Sequence, residues 1–220
     1  MISVVIPAYN EENVIGDTIR ELRDALGRNT EIIVVADGTD NTTHKARKAG
    51  AIVIKRMGRL GKGSAVTNGM KMSHGAVVGF VDADGAVDAA SITRLVTSLK
   101  GCDAAIASRR VRGSLIDEDV SFSRRVSRVA FNFIVNALFQ LGLKDTQCGA
   151  KFFRAGAVKN VLPEMKSRGF EFDVELLWRM KRKGFRIKEI PVRWRHRKES
   201  KFSLSSGPAM LASLLKLRLS

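Results

Sequence analysis

Two carboxylates directly follow a short apolar run, and this arrangement limits the folds open to the chain more than any other feature. Residues 77–81, Val-Val-Gly-Phe-Val, predict a strand buried on both faces, as in parallel sheets covered by helices. Asp82 and Asp84 come next, at the end of a sheet where α/β proteins bind their ligands. An Asp-x-Asp pair can hold a divalent cation against phosphate oxygens. A second interpretation, in which both side chains only cap the following helix, stays open at this point.

Three further segments share the pattern of a strand, a polar loop and a helix. The chain opens with such a strand and the loop Pro-Ala-Tyr-Asn-Glu at residues 7–11. A second strand leads into Ala-Asp-Gly-Thr-Asp at residues 36–40, and residues 58–65 form a basic, glycine-rich loop before a helix. This alternation through residue 107 predicts an α/β fold with a doubly wound, mainly parallel central sheet. At 220 residues, the chain suits one sizeable domain.

In this order, the four segments resemble the start of the family 2 glycosyltransferases. That family has the Rossmann-like GT-A fold and carries Pro-x-Tyr-Asn-Glu, Val-Asp-Asp-Gly-Ser, Gly-Lys-Gly and Asp-x-Asp along the chain. Residues 144–154 and 169–177 are similar to the branch of dolichyl-phosphate glucosyltransferases and mannosyltransferases. The resemblance implies an inverting, metal-dependent hexosyltransferase that uses a nucleotide sugar, with UDP-glucose favoured over GDP-mannose, and a polyprenyl phosphate acceptor.

The same resemblance implies a division of the chain. A single GT-A catalytic domain is expected over residues 1–202, with a nucleotide-binding half at 1–107 and an acceptor half at 108–202. Residues 203–220 are expected to form an amphipathic tail.

Individual roles also follow from the resemblance. On the donor side, Asp82 holds ribose or metal, Asp84 holds Mg²⁺ or Mn²⁺ against the diphosphate, and the backbone of Gly61 and Gly63 approaches the ligand. Arg109 and Asp84 are the expected catalytic residues. The residues expected to bind the nucleotide sugar are Pro7, Tyr9, Glu11, Asp37, Lys62 and Asp82, and those expected to bind the acceptor phosphate are Arg109, Arg125, Arg128 and Lys201.

The chain departs from the family pattern at three positions, and three rival functions stay open. Ala36 stands where the first Asp of the Asp-Asp-Gly-Ser segment is usual, Asn41 where a further Asp is common, and Ala86 where a Gln often contacts the metal or the diphosphate. A lipid phosphate is already ionised at neutral pH and needs no general base. A hydroxyl acceptor on a glycan or polysaccharide would need one, for which Asp173 is the better candidate and Glu171 the other. Either carboxylate could instead orient the sugar hydroxyls, or only stabilise the N-terminus of a helix. The remaining rivals are a sugar-phosphate nucleotidyltransferase and a basic binding module without catalysis.

Charge is concentrated in the second half of the chain. The formal net charge is +16, with 13 Lys/Arg against 11 Asp/Glu in residues 1–100 and 25 against 11 in residues 101–220. This asymmetry favours a polyanionic partner. Aromatic residues make up only 6% of the chain and do not alternate with basic ones, which argues against nucleic acid.

An anionic membrane surface is therefore the expected partner. The apolar segment 129–141 follows Arg124, Arg125 and Arg128, and residues 210–219 again mix leucine with cations. Both segments are too short to span a bilayer but suit a helix lying in its interface. The alternative is a core helix with a tail packed on it. Because Met1 leads straight into a strand with no signal peptide, we expect a cytoplasmic enzyme on the inner face of the membrane.

Cysteine and histidine carry little of the expected chemistry. Cys102 and Cys148 are expected to be reduced, and a nucleophilic role for Cys148 is not favoured because no histidine lies near it in sequence. The three histidines lack metal-ligand spacing.

Overall fold

The computed structural model describes residues 1–117, 122–195 and 207–219, with the side chains of 122–128, 207–209 and 219 left out. The strands are β1 (Ile2–Ala8), β2 (Thr30–Ala36), β3 (Ile52–Lys55), β4 (Val77–Val81), β5 (Ala104–Ser108), β6 (Leu115–Asp117), β7 (Ala150–Arg154), β8 (Ile187–Pro191) and β9 (Arg193–Arg195). The helices are α1 (Ile15–Leu26), α2 (Thr42–Lys48), α3 (Lys62–Lys71), α4 (Ala89–Ser98), α5 (Phe122–Phe139), α6 (Ala155–Val161), α7 (Phe172–Arg182) and α8 (Gly207–Leu219), with single 3₁₀ turns at Leu99–Gly101 and Leu162–Glu164.

The central sheet has seven strands in the order β3-β2-β1-β4-β7-β5-β8. Strand β7 runs antiparallel to both its neighbours, and every other pairing in this sheet is parallel. The prediction of a mainly parallel α/β sheet is therefore confirmed. A small second sheet pairs β6 with β9 in parallel.

The register of the parallel strands brings the predicted motifs together at the carboxyl ends of β1, β2 and β4. Strands β1 and β2 pair from Ile2↔Thr30 through Ala8↔Ala36, so they end at the same level. Strand β4 starts level with β1, at Ile2↔Val77. The loops after all three strands therefore emerge together, and the site forms where they meet.

Alternate side chains of the strands fill the space on the two faces of the sheet. Val4 and Ile6 pack with α1 and α4 on one face, and Val5 and Phe80 pack with α3 and α7 on the other. Because these strands are buried on both faces, their sequences are nearly continuous apolar runs.

A third cluster joins α5 and α8 to the side of the sheet. Met210, Leu214 and Leu217 are buried along one face of α8, and the last two pack with α5 residues such as Val135. Arg218 Nε donates to the Leu138 carbonyl at 3.0 Å. These leucine side chains therefore belong to the core, in agreement with the alternative interpretation of a tail that packs on a core helix.

Other apolar side chains of the same helices face outward. Val129 and Leu215 are exposed, and Phe133 is 74% exposed. In the part of the chain that is described, no helix is both long enough and apolar enough to cross a membrane.

The packing of α8 predicts different effects for two adjacent leucines. Leu214 is 0% exposed and Leu215 is 43% exposed. Leu214→Ala should lower the free energy of unfolding by about 2–5 kcal/mol, because it leaves a cavity in the core. Leu215→Ala should stay within about 0.5 kcal/mol of the wild type. Urea unfolding measures both, and equal, small effects would show that α8 does not pack as described.

Candidate active site

A cavity of about 190 Å³ opens at the carboxyl ends of β1, β2 and β4. We call it the first lobe. Its walls include every side chain predicted to bind the nucleotide sugar or the metal, namely Pro7, Tyr9, Glu11, Asp37, Lys62, Asp82 and Asp84. The tertiary structure thus brings these residues together from four separate segments.

A second cavity of about 150 Å³ adjoins the first one, and we call it the second lobe. The two lobes share Lys62, Asp82, Asp84 and Phe170 as walls. The second lobe is further lined by Arg109 and by residues from the later part of the chain, chiefly Gln147, Gly149, Asp173 and Trp194. The Asp-x-Asp pair therefore stands at the junction of two spaces.

The loop after β4 holds the two carboxylates in place. The Asp82 amide donates to the Gly149 carbonyl at 2.8 Å, and the Ala86 amide donates to Asp84 Oδ1 at 3.0 Å. Helix α4 is capped instead by Asp88, whose side chain accepts from the Ser91 amide at 2.9 Å. The interpretation of Asp82 and Asp84 as helix caps is therefore wrong.

Lys62 forms the strongest contact at the junction. Its Nζ lies 2.6 Å from Asp82 Oδ1, and the rings of Phe80 and Phe172 lie within 6 Å of it. Burial lowers the pKa of Lys62, but the carboxylates of Asp82, Asp173 and Asp84 outweigh this effect, so the pKa lies above its ordinary value. Lys62 therefore stays positively charged beside Asp82.

The two glycines beside Lys62 differ: Gly61 lines the first lobe, so its approach to the ligand stays a prediction, whereas Gly63 contacts another loop of the protein. The Gly63 amide donates to the Gly169 carbonyl and the Ser64 amide to the Arg168 carbonyl, both at 3.1 Å. A Cβ at Gly61 would lie 2.3 Å from the Arg168 carbonyl oxygen. The prediction that the backbone amide of Gly63 approaches the ligand is therefore wrong, because loop 168–169 already occupies that position.

Asp37 borders the first lobe but is held by an arginine that was not predicted. Arg56 Nε and Nη2 donate to its two carboxylate oxygens at 2.6 and 2.7 Å, and the Leu60 amide adds a bond of 3.0 Å. Arg56 also donates to Ser64 Oγ at 2.8 Å. Asp37 thus anchors the glycine-rich loop, and its contact with base or ribose stays a prediction. Arg56 directly follows β3 at the same sheet edge, a signal that could have identified it.

The loop after β1 is tied to the loop after β2. Asn10 Oδ1 accepts from the Thr39 amide at 2.9 Å, and the Glu11 amide donates to Thr42 Oγ1 at 2.8 Å. The Arg59 guanidinium lies 4.6 Å from the centroid of the Tyr9 ring, close enough for a cation–π contact. Arg59 was not predicted as a site residue, although it lies in the basic loop.

Arg109 reaches the second lobe and is rigidly held there. It donates to Asp145 from Nε at 2.7 Å and from Nη2 at 3.0 Å, a bidentate pair. Burial raises the pKa of Asp145, but Arg109 outweighs it and holds that pKa below its usual range. Glu189 in turn accepts from the amides of Lys144 and Asp145 at 2.9 and 3.0 Å. Neither Asp145 nor Glu189 was predicted.

The other predicted acceptor residues are not placed by the structure. Arg125 and Arg128 lie on α5, but their side chains are not among those described, and Lys201 lies outside the described residues. Their assembly with Arg109 therefore stays a prediction.

The two candidate bases differ in position. Asp173 is buried, lines the second lobe and pairs with Lys151 at 2.6 Å. Glu171 instead accepts from the Gly169 amide at 3.0 Å and so braces the loop that contacts Gly63.

Burial raises the pKa of the Cys148 thiol to about 12, which leaves it protonated and unsuited to act as a nucleophile.

A metal ion at the junction would need coordinating atoms from a bound phosphate ligand as well as from the protein. Within residues 1–117, 122–195 and 207–219, no group of three or more His, Cys, Asp or Glu side chains could hold a metal. Asp82 and Asp84 offer hard oxygen donors, and Asp82 already accepts a cation, Lys62. The two carboxylates therefore fit Mg²⁺ or Mn²⁺ if phosphate oxygens and water complete the coordination.

Comparisons with known proteins agree with this geometry. Residues 3–162 match the model of "Glycosyl transferase family 2". This chain belongs to that family. It is 32% identical over 240 residues to the dolichyl-phosphate beta-glucosyltransferase of Saccharomyces cerevisiae, an alignment that covers 96% of this chain and 72% of the relative.

Solved structures show that this family 2 member has the GT-A fold. It is similar to glucosyl-3-phosphoglycerate synthase from Mycobacterium tuberculosis in complex with Mg²⁺ and UDP, with a TM-score of 0.74 and 22% identity over 99% of this chain and 79% of that one. A complex of the same synthase with Mn²⁺, UDP-glucose and phosphoglyceric acid gives a TM-score of 0.71 and 20% identity over the same shares. The family match and the yeast relative show that the chain is a glycosyltransferase.

The contact between the glycine-rich loop and loop 168–169 predicts that Gly63 tolerates no side chain. A Cβ there would lie 2.4 Å from Phe172 Cβ and 2.8 Å from the Gly169 carbonyl oxygen. Gly63→Ala should destabilise the fold by about 1–3 kcal/mol, the usual effect of overpacking. Gly101→Ala, where nothing lies within 4 Å, is the matched control. Thermal unfolding compares them, and a Gly63→Ala protein as stable as the control would contradict this packing.

Proposed function

We propose that this enzyme transfers glucose from UDP-glucose to a polyprenyl phosphate of the dolichyl type, with inversion at the anomeric carbon. GDP-mannose is the second choice of donor. The observation that carries the proposal is the junction of two lobes at Lys62, Asp82 and Asp84. The similarity to a dolichyl-phosphate beta-glucosyltransferase over nearly the whole chain supports the acceptor and the sugar.

The donor would lie across the junction. Its nucleoside would occupy the first lobe, where Pro7 and Tyr9 form one wall and Glu11 and Asp37 supply acceptors. The diphosphate would then meet Lys62 at the junction. Because the sugar is attached to the far phosphate, it would lie beyond the carboxylates, in the second lobe.

Leaving-group charge is the main demand of this reaction, and the junction is suited to it. Lys62 places a permanent positive charge beside the diphosphate, in a site lined by aromatic rings where such a charge is effective. Asp82 and Asp84 would hold Mg²⁺ or Mn²⁺ against the diphosphate oxygens. When bound, that metal supplies further stabilisation of the departing charge.

Arg109 would receive the acceptor phosphate in the second lobe. Its guanidinium is fixed by Asp145 and stacks 5.5 Å from the centroid of Trp194, so it would be oriented before the acceptor arrives. The phosphate is the nucleophile and is already ionised, so no residue has to remove a proton. Arg125, Arg128 and Lys201 would complete this cationic acceptor side.

The second candidate function is transfer to a hydroxyl group of a glycan. One observation favours it: the Asp173 carboxylate lines the second lobe, where a general base would be needed. Burial raises the pKa of Asp173 above its ordinary value against the opposing charges of Lys151 and Lys62.

A lipid acceptor would place the enzyme on a membrane surface. We propose the cytoplasmic, inner face, with contact through the outward side of α5, where Val129 and Phe133 are exposed, and through Leu215. The net charge of +16 would favour anionic lipids.

The decisive experiment incubates the protein with radiolabelled UDP-glucose or GDP-mannose, Mg²⁺ or Mn²⁺, and either a polyprenyl phosphate or an oligosaccharide. We expect label from UDP-glucose in the organic phase. Asp84→Asn should lower the rate about 10²–10³-fold, because an electrostatic partner of the leaving group is lost. Asp88→Asn, which alters a helix cap outside both lobes, is the control. More than half the activity in Asp84→Asn at saturating metal would exclude the Asp-x-Asp assignment.

Membrane contact predicts that vesicle binding depends on lipid charge and on Phe133. Co-sedimentation should be strong with anionic vesicles at low salt and weaken as salt rises, since the attraction decays within a Debye length of about 8 Å at physiological ionic strength. Phe133→Ser should weaken it, whereas Ile52→Ser, at an exposed apolar residue on edge strand β3, should not. Binding that ignores lipid charge, salt and Phe133 would rule out the membrane proposal.

A further inference from the structure

A lysine lies in the middle of the central sheet, where an apolar residue would be expected. Lys151 is on β7 between β4 and β5, opposite Phe80 on one side and Ile106 on the other. Its side chain is 0% exposed. A charged group is almost never fully buried unless it is paired.

Lys151 forms an ion pair with the carboxylate of Asp173. Its Nζ donates to Asp173 Oδ1 at 2.6 Å and to the Cys148 carbonyl at 2.9 Å, and it lies 5.1 Å from the centroid of the Phe80 ring. Asp173 is 2% exposed, yet it forms part of the wall of the second lobe. The pair therefore connects the interior of the sheet to the space beyond the Asp-x-Asp junction.

Stability alone does not account for this pair. Removing two charges from water is costly, and replacing a buried ion pair by uncharged residues of similar size is often neutral or stabilising. The position on β7 is flanked by aromatic and aliphatic side chains that would accept a methionine. A carboxylate that must stay ionised at a cavity wall, however, needs a fixed cation behind it.

We propose that Lys151 is a positioning residue, which holds Asp173 in place and favours its charged form at the wall of the second lobe so that the carboxylate accepts a hydrogen bond from a hydroxyl group of the transferred sugar. This inference rests on the proposed function, since it places the sugar in the second lobe. The other charged groups acting on Asp173 are Lys62, from α3, and Asp82, after β4.

The test separates sugar binding from nucleotide binding. Isothermal titration with UDP and with UDP-glucose, both in Mn²⁺, gives an affinity ratio that reports the sugar contacts. The double variant Lys151→Met/Asp173→Asn removes both charges and keeps the shapes, so it should fold. Its UDP affinity should match that of the wild type, while its UDP-glucose affinity should fall about 10- to 100-fold, the range for a lost hydrogen bond to a charged group.

A pH series tests the role of Lys151 itself. Without the lysine the pKa of Asp173 rises further, so in Lys151→Met the carboxylate forms only at higher pH. The UDP-glucose affinity of this variant, divided by its UDP affinity at the same pH, should therefore increase from pH 6 to pH 9. Lys151→Met/Asp173→Asn should show no such increase. If Lys151→Met does not fold, the double variant still provides the affinity ratio.

Arg154→Met is the matched control on the same strand. Arg154 donates to the Leu99 and Cys102 carbonyls and lines neither lobe. Its affinity ratio should equal that of the wild type. An unchanged affinity ratio in the double variant would overturn the proposal. The proposal would also fail if Asp173→Asn lowered the ratio while Lys151→Met kept the wild-type ratio at every pH.

The proposed transfer reaction can fail independently. If the wild type binds UDP-glucose but does not glucosylate polyprenyl phosphate, the proposed acceptor is wrong, and the affinity ratios still decide the role of Lys151. The same titrations with GDP and GDP-mannose cover the second donor. If the wild type binds UDP-glucose no differently from UDP, and GDP-mannose no differently from GDP, the sugar contact is excluded.

Discussion

The ion pair between Lys62 and Asp82 is the contact on which the rest of the site depends. It joins the start of α3 to the end of β4, two elements that bring the glycine-rich loop and the Asp-x-Asp pair to one point. Two lobes meet there, so a ligand that spans both must pass Lys62 and the two carboxylates. A carboxylate in this partly buried position is costly without a partner, and Lys62 supplies that partner for Asp82. The proposed donor would place its diphosphate at this pair.

Around this junction, several charged side chains pair with one of opposite sign from another segment of the chain. Arg56 neutralises Asp37, and Asp145 neutralises Arg109. Inside the sheet, Lys151 does the same for Asp173. Such pairs contribute little net stability, but they fix the orientation of groups that a ligand would otherwise have to order on binding. The site is therefore largely preformed, as electrostatic stabilisation of a leaving group requires.

The sequence predicted the fold class and the residues that line the first lobe, and the structure shows why they lie together. Strands that are buried on both faces leave a strong apolar signal, and Asp82 follows such a strand directly. The failures concern contacts between segments. The family resemblance implied that the backbone of Gly63 approaches the ligand, yet its amide donates to the Gly169 carbonyl, more than one hundred residues later in the chain. No local pattern could reveal that partner.

The sequence by itself determined the alternation of strands and helices through residue 107 and the end of the sheet at which Asp82 and Asp84 lie, and the family resemblance added Lys62 to them as an expected site residue. These are properties of residues close together in the chain or of the carboxyl ends of parallel strands, which always share an edge. Only the tertiary structure decided which charges pair, that Met210 and Leu214 belong to the core while Phe133 faces outward, and that a second lobe adjoins the first. Those outcomes depend on how β7, α7 and α8 pack against the sheet, and packing between distant segments leaves no period or spacing in the sequence that predicts it.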